Sequence, residues 1–349
     1  MNQTNANEVT EFVLLGLSSS SELQPVLFFL FLLLYFLTIL GNGLIIITVT
    51  SDHHLHSIPM YFLLCNLSFQ DLCYSTVTVP KMLSHLVTHH KTISFQGCIA
   101  QIFFFHFTGS TEIFILTIMA YDRYIAICRP LHYELIMSQH TCWVLAASSV
   151  LGGVIHSITQ VVLILRLPFC GPNELDNFYC DIPQIIKLAC TNTFVVGLLM
   201  VSNSGLVTLL CFIVLLISYT VLLVRIRNHL SEGKSKALST CASHLMVVTL
   251  VFVPCVYIYA RPFQTFPADK LVSILYTIIT PMLNPLIYTL RNAEMKNAMR
   301  RMGRCLVVTE CGYTDISYRN SPRRAIAAQQ LNVSPFRTSF FISVVNHTW

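Results

Sequence analysis

The chain alternates long apolar intervals with short polar segments. Intervals free of Asp, Glu, Lys and Arg cover residues 23–51, 135–165, 188–224, 237–260 and 271–290. Two further intervals, 53–80 and 92–121, are each interrupted by one carboxylate, Asp71 and Glu112. A bilayer core of about 30 Å requires roughly 20 apolar residues as a helix. The pattern therefore predicts seven membrane-spanning helices, because lipid leaves helices or closed barrels as the only spanning structures and these intervals are too long for barrel strands.

Composition agrees with a membrane protein. Of the 349 residues, 54% are hydrophobic and 11% are charged, against about 25% charged residues in a typical soluble domain. The sequence has no basic stripe and no zinc-finger spacing, so we expect no nucleic-acid partner. It also lacks a nucleophile–base motif, a phosphate-binding loop and HExxH, so nothing predicts an enzyme.

The loops predict the orientation. With the amino terminus outside, the inner segments hold most of the basic residues near span ends, as the positive-inside rule requires. These include Arg123, Arg129, Arg225, Arg227 and residues 291–304. The first 22 residues are polar and acidic, unlike a cleavable signal sequence. Asn2 starts a glycosylation sequon in this outer tail.

Four of the thirteen cysteines lie in or beside predicted outer loops: Cys98, Cys170, Cys180 and Cys190. An oxidising compartment favours disulfides there, and the sequence alone permits three pairings. The buried acids Asp71 and Glu112 should face the bundle interior. They are either a shared cation site or protonated, hydrogen-bonded groups. Pro254 and Pro285 predict kinks in spans six and seven.

Several motifs follow one another in a recognisable order. They are GN at residues 41–42, PMYFLLCNLSFQD at 59–71, MAYDRYIAIC at 119–128, SY at 218–219, KALSTCASHL at 236–245 and PMLNPLIYTLRN at 281–292. Over about residues 10–304, the chain resembles the odorant (olfactory) receptors of the rhodopsin-like G-protein-coupled receptor class. The fold this implies is an all-α, seven-helix membrane bundle (23–304) with a short amphipathic eighth helix, between an outer tail (1–22) and a cytoplasmic tail (305–349) whose composition predicts disorder.

The resemblance also implies roles for individual residues. It pairs Cys98 with Cys180 and Cys170 with Cys190, and it places a sodium ion at Asp71 and Glu112 with help from Asn284. It assigns G-protein coupling and switching to Asp122, Arg123, Tyr219, His244, Asn284, Pro285 and Tyr288. It places a small volatile odorant in a pocket lined by Phe105, His106, Gly109, Ser110, Asn203, Ser204, Val207, Phe252, Cys255, Tyr259, Ile274 and Thr277. The partner it implies is a heterotrimeric G protein of the stimulatory olfactory type, which raises cyclic AMP.

Some features depart from the family pattern. Phe252 stands where the family usually has Tyr, Ser149 where Trp is common, and residues 305–349 match no motif of the family. Cys305 and Cys311 in this tail are candidate sites for palmitoylation. Two other functions are alternatives. A transporter would show paired repeats or broken helices in two halves, and the absence of a repeat in these seven predicted spans argues against it. A non-odorant receptor for another small molecule or a peptide is the second alternative, against which the span-six motif argues.

Overall fold

The computed structural model describes residues 9–18, 20–88, 90–170, 172–229, 234–261, 266–292 and 294–303. Asn2, Cys305, Cys311 and the predicted tail 305–349 lie outside the described residues. The chain forms two compact units, Met1–Met295 and Lys296–Trp349. Within the described part of the first unit, seven long helices form the bundle. They are α1 (Leu23–Ser51), α2 (Pro59–Thr88), α3 (Phe95–Cys128), α4 (Gln139–Leu165), α5 (Phe194–Met200, Val201–Leu206 and Val207–His229), α6 (Lys234–Tyr259) and α7 (Ala268–Ile274, Leu275–Ile279 and Thr280–Arg291).

Among the described residues, six of these helices are long and apolar enough to cross a membrane. The remaining one, α2, has 30 residues but also carries Asp71 and Lys81. Its start differs from the predicted interval, because residues His53–Ser57 form a separate short helix capped by the Asp52 carboxylate. Pro59 then begins α2, at the position where a helix tolerates a missing N–H. The charged residues nearest to α2 therefore do not mark where this helix begins or ends.

The start and end of α3 also differ from the predicted interval 92–121. Thr92–Ser94 form a strand, and the Ser94 hydroxyl accepts a hydrogen bond from the backbone N–H of Gly97 at 3.1 Å, which caps the helix. At the other end the helix continues past Asp122 and Arg123 to Cys128. Pro130 follows, where a continuing helix would need a backbone N–H. One helix thus joins the disulfide-bonded end of the bundle to the end that carries Arg123.

Two helices contain a π-helical turn that the sequence pattern does not predict. Val201–Leu206 interrupts α5, and Leu275–Ile279 interrupts α7. A π turn shifts the angular position of every later side chain, and such turns are frequent at functional sites. Both lie where α5 and α7 approach the central cavity described below.

A small sheet covers the disulfide-bonded end. Strand β1 (Glu11–Leu14) lies between β2 (Thr92–Ser94) and β3 (Glu174–Leu175), antiparallel to β2 and parallel to β3. Phe12 and Leu14 are fully buried in an apolar cluster with Cys98 and Cys180. The segment predicted only as a polar tail therefore contributes a strand and two core side chains.

Both disulfides expected from the resemblance are present in the structure. Cys98 at the start of α3 is bonded to Cys180, with 5.6 Å between the Cα atoms. Cys170 is bonded to Cys190, with 5.9 Å between the Cα atoms. The first bond holds the loop between α4 and α5 against α3, and so places Asp181, the next residue, over the centre of the bundle.

Candidate functional site: a roofed cavity above a buried acid pair

A cavity of about 60 Å³ lies between the helices below the loop that contains Cys180. On this measure, about 10–15 Å³ admits one water molecule, so the space is larger than a single water site. Its walls come from six helices, α2 to α7. They are formed by Tyr74, Phe105, His106, Gly109, Ser110, Glu112, Ile113, Phe114, His156, Asn203, Ser204, Val207, Thr208, Val251, Cys255, Tyr259 and Tyr276.

The structure places nine of the twelve expected pocket residues on this wall: Phe105, His106, Gly109, Ser110, Asn203, Ser204, Val207, Cys255 and Tyr259. The other three lie elsewhere. Phe252 is fully buried and stacks on Phe212 of α5, with ring centroids 5.6 Å apart. Thr277 is buried and donates to the Ser273 carbonyl at 2.6 Å, and Ile274 packs against the apolar cluster around Tyr276.

The sequence interpretation missed several wall residues. Tyr74 of α2 and His156 of α4 come from helices that were not assigned to the pocket. Tyr276 lies in the π turn of α7, which brings it rather than Thr277 to the cavity. A signal existed for His156, a titratable residue within an otherwise charge-free apolar interval.

The buried carboxylate of Asp181 organises the roof of the cavity. Tyr259 donates to Oδ1 at 3.1 Å, Tyr179 donates to Oδ2 at 3.2 Å, and the backbone N–H of Ile182 donates to Oδ1 at 2.8 Å. The hydroxyls of Tyr179 and Tyr276 are 2.6 Å apart. Nε2 of His106 is 3.9 Å from Oδ1, beyond hydrogen-bond distance. Asp181 was not predicted as a site residue, because nothing in the sequence shows that a loop acid is held inside the bundle.

Burial determines the protonation behaviour of this roof. Loss of solvent raises the pKa of Asp181 to about 6, although the donors from Ile182, Tyr259 and Tyr179 act in the opposite direction. The pKa of the Tyr179 phenol is also raised, first by burial and then by the charge of Asp181. At neutral pH the carboxyl is therefore mainly ionised and acts only as a hydrogen-bond acceptor.

Polar groups on α4 and α5 form a second polar region of the wall. Nε2 of Gln160 donates to the Ser204 hydroxyl at 2.5 Å, and that hydroxyl is 3.4 Å from Nε2 of His156. In the same π turn, Nδ2 of Asn203 is buried and has no hydrogen-bond acceptor among the described residues. The cavity thus combines aromatic and aliphatic surface with a few hydrogen-bonding groups, as small-molecule sites do.

The two membrane acids lie on the inward faces of α2 and α3. Asp71 and Glu112 are both buried, and Asn284 Nδ2 is 3.0 Å from each carboxylate oxygen of Asp71. Oδ1 of Asn284 and the hydroxyl of Ser75, one helical turn after Asp71, are buried without a hydrogen-bond partner among the described residues. Hard cations take oxygen ligands, but the described residues contain no group of three or more His, Cys, Asp or Glu able to hold a metal ion, so the expected sodium site stays a prediction.

At the other end of α3, the Asp122 carboxylate accepts a hydrogen bond from the Tyr133 hydroxyl at 2.7 Å. Tyr219 of α5 is hydrogen-bonded to Nδ1 of His244 on α6. The His244 ring lies 6.4 Å from the ring of Tyr288 on α7. The expected switch residues of α5, α6 and α7 therefore lie together, next to the end of α3 that carries Arg123.

Known proteins similar to this chain belong to one family. The sequence model of the olfactory receptor family matches residues 31–304. Human olfactory receptor 4Q2 is 58% identical over 303 residues, which are 86% of this chain and 96% of that protein. Human olfactory receptor 4Q3 is 59% identical over 302 residues (86% and 96%), and mouse olfactory receptor 4M1 is 55% identical over 304 residues (86% and 97%). The chain therefore belongs to the olfactory receptor family, whose members are multi-pass G-protein-coupled receptors and not enzymes.

Proposed function

We propose that this receptor binds a small, volatile and mainly hydrophobic odorant in the roofed cavity. Binding then activates a heterotrimeric G protein of the stimulatory olfactory type, which raises cyclic AMP. The observation that carries the proposal is the cavity itself, because it lies between α3, α5, α6 and α7, the helices whose switch residues meet near Arg123.

The size and cover of the cavity support a small ligand. Phe105 stacks on Tyr74 with ring centroids 4.9 Å apart, and Cys255 and Val251 add apolar surface from α6. The loop that holds Asp181 and the sheet built on β1 lie over this end of the bundle. A peptide ligand would need this cover to open, and a volatile compound would not.

The route from ligand to G protein runs along α3. Glu112 lines the cavity and Arg123 lies 11 residues later, about three helical turns along the same helix. A ligand shifts the equilibrium between two arrangements of α3, α5, α6 and α7 only by its differential affinity for them. In the proposed active arrangement α6 moves outward, Arg123 leaves Asp122, and Tyr219 and Tyr288 support it against the G protein.

Pro254 and Pro285, which lie inside α6 and α7, supply the hinges for this movement. Each proline lacks the N–H that would bond the carbonyl four residues earlier. The carbonyl of Pro281 accepts instead from Asn42 at 3.0 Å, which connects α7 to α1. The Thr280 hydroxyl lies 3.5 Å from the Leu250 carbonyl, but it donates its one proton to the Leu275 carbonyl at 2.9 Å. Neither carbonyl is thus part of a continuous helical ladder.

The membrane orientation belongs to the same proposal. The amino terminus and the disulfide-bonded loops face the outside, where disulfides persist, and Asn2 is a glycosylation site there. Arg123 and the segment after α7 face the cytoplasm, with residues 305–349 as a cytoplasmic tail. Asp71, Glu112 and Asn284 would hold a sodium ion, which would supply positive charge between α2, α3 and α7 and so stabilise the arrangement without ligand.

A cyclic AMP reporter assay tests the function. Cells that express the receptor and the olfactory G protein are exposed to an odorant panel, and surface receptor is measured by antibody labelling of intact cells. We expect concentration-dependent responses to small hydrophobic compounds. A receptor that reaches the surface and responds to peptides, while the odorants have no effect, would contradict the proposal.

A further inference from the structure

The hydroxyl protons at the roof point in one direction, toward Asp181. A phenol has a single proton to donate. The proton of Tyr259 is used in its bond to Asp181 Oδ1, and the proton of Tyr179 in its bond to Oδ2. The Ser273 hydroxyl, 3.5 Å from Tyr179, is a weaker competitor, because hydrogen bonds to an ionised acceptor are the stronger ones.

Tyr276 completes this chain of donors. Its hydroxyl is 2.6 Å from that of Tyr179, and either atom is geometrically able to donate. Because Tyr179 and Tyr259 already donate to Asp181, the Tyr276 proton goes to the hydroxyl of Tyr179 or to that of Tyr259, its second hydrogen-bond neighbour. Two of the three tyrosines that line the cavity, Tyr259 and Tyr276, thus have no proton left for a ligand. They offer it only oxygen lone pairs.

The wall beside Tyr259 offers the opposite group. Nδ2 of Asn203 is a buried donor that has no acceptor among the described residues. Its π turn lies against the end of α6: a Cβ added to Gly205 would lie 2.6 Å from the Tyr259 carbonyl oxygen. An acceptor on Tyr259 and a donor on Asn203 therefore line one cavity from adjoining segments.

We propose that this cavity selects ligands that carry a hydroxyl group, meaning alcohols and phenols, over ketones, aldehydes and ethers with the same carbon skeleton. The hydroxyl donates to the Tyr259 oxygen and accepts from Asn203 Nδ2. A ketone or an ether is able to accept from Asn203 but has nothing to donate to Tyr259. This inference rests on the proposed function, since it identifies the ligand class of the same cavity.

Other polar ligands fit the roof less well. Asp181 lies behind the tyrosines, and its two oxygens already accept from three donors, so a ligand amine would have to displace them. A ligand carboxylate would bring a second negative charge close to Asp181. His106 Nε2 is buried and has no hydrogen-bond partner within the part of the chain that the structure describes. It donates to or accepts from a hydroxyl according to its tautomer.

Sets of compounds with one skeleton test the preference, for example cyclohexanol, cyclohexanone and methoxycyclohexane, or p-cresol and its methyl ether. Cyclic AMP concentration–response curves give the half-maximal concentration for each compound in cells with measured surface receptor. We expect the alcohol or phenol to be roughly tenfold more potent than the ketone or ether with the same skeleton, which is the scale of one net hydrogen bond.

Two variants test the cause. In Asp181→Asn the amide is able to donate to Tyr259, which frees the tyrosine proton for the ligand, so ketones should gain potency relative to alcohols. Tyr259→Phe removes the acceptor and should reduce the alcohol preference to near unity. Asp176→Asn is the matched control, because this carboxylate in the same loop is 67% exposed and pairs with Lys270 instead; it should keep the wild-type ratio.

The outcomes separate the two proposals. Ketones or ethers as potent as alcohols would overturn the hydroxyl preference while leaving the odorant receptor function supported. The preference would also be overturned if Asp181→Asn and Tyr259→Phe, both present at the surface, kept the wild-type potency ratio. Activation by no member of any set would count against the receptor function and against the inference that depends on it.

Discussion

The side-chain amide of Asn42 on α1 donates a hydrogen bond to the backbone carbonyl of Pro281 on α7, with 3.0 Å between the two atoms. This carbonyl lies four residues before Pro285, whose ring nitrogen has no proton to offer it. Asn42 thus replaces the missing helical bond. The neighbouring Gly41 lets α1 approach, since a Cβ there would lie 3.0 Å from the Pro285 ring. The adjacent Gly41 and Asn42 therefore serve one contact between α1 and α7.

Removal of the Asn42 amide should expose the energetic role of this bond. Asn42→Ala leaves a buried carbonyl without a donor, which costs about 1–3 kcal/mol. We expect a lower thermal unfolding midpoint of the purified receptor in detergent. In a Pro285→Ala background the helix regains its own N–H, so the same substitution should cost less. Asn66→Ala is the control, because Asn66 donates to the Phe62 carbonyl within its own helix. Equal losses in both backgrounds would contradict this role of Asn42.

The contact between α5 and α6 at Gly205 should not tolerate a side chain. A Cβ at this position would overlap the Tyr259 carbonyl and lie 3.2 Å from Cα of Ala260. Gly205→Ala should therefore push the π turn away from α6, and we expect at least a tenfold loss of odorant potency. Gly43→Ala is the matched control, because a Cβ there meets no atom within 4 Å. Unchanged potency in Gly205→Ala would show that the segments do not pack this closely.

The strand β1 should stabilise the receptor and not act as a passive tail. Phe12 is fully buried between the rings of Phe95 and Phe169, at centroid distances of 5.9 and 6.0 Å. Phe12→Ala should cost about 3–5 kcal/mol and sharply reduce the amount of receptor at the cell surface, measured by labelling intact cells. Glu11→Ala changes an exposed neighbour in the same strand and should have little effect. Equal surface levels for the two variants would argue that β1 is dispensable.

The selectivity for hydroxyl ligands should depend on pH. The pKa of Asp181 is raised from 3.8 to about 6, so the fold favours the protonated carboxyl. Its contribution to stability is therefore present below pH 3.8 and is lost as the pH rises through about 6. A protonated Asp181 is itself a donor, and it no longer accepts from Tyr259 and Tyr179 through both oxygens.

Acidification from pH 7.4 to about pH 5 should accordingly lower the potency of an alcohol relative to its ketone. The titratable groups that face Asp181 are His106 of α3, Tyr259 of α6, the loop Tyr179 with Tyr276 behind it, and Asp269 at the start of α7. Asp181→Asn removes the Asp181 titration and leaves the others. Its alcohol-to-ketone ratio should not change between the two pH values; a change as large as in the wild type would assign the effect to another group.

Much of the helix bundle could be predicted from the intervals that contain no charged residue. The interval 23–51 predicted α1 at the bounds it has, because no charged residue interrupts the helix there. The ends of α2 and α3 were less predictable, since capping by Asp52 and Ser94 sets them and charged residues such as Lys81 are tolerated near a span end.

The residues of the cavity wall could be predicted less well from the sequence. A π turn leaves no mark in the hydrophobic pattern, so Tyr276 was missed and Thr277 was expected in its place. Phe252 follows the family's pocket pattern but stacks on Phe212 instead. The position of Asp181 over the cavity depends on the Cys98–Cys180 bond and on tyrosines from α6 and α7, contacts that local sequence does not encode.

In the proposed mechanism one helix, α3, couples the roofed cavity to a G protein at Arg123. Ligand-stimulated cyclic AMP tests it most directly, compared at equal surface levels in the wild type, in Arg123→Ala, and in Ser110→Phe, which fills the cavity from α3. We expect that Arg123→Ala abolishes signalling while the odorant still binds, and that Ser110→Phe abolishes both. A full response in either variant would contradict the coupling of the cavity to a G protein along α3.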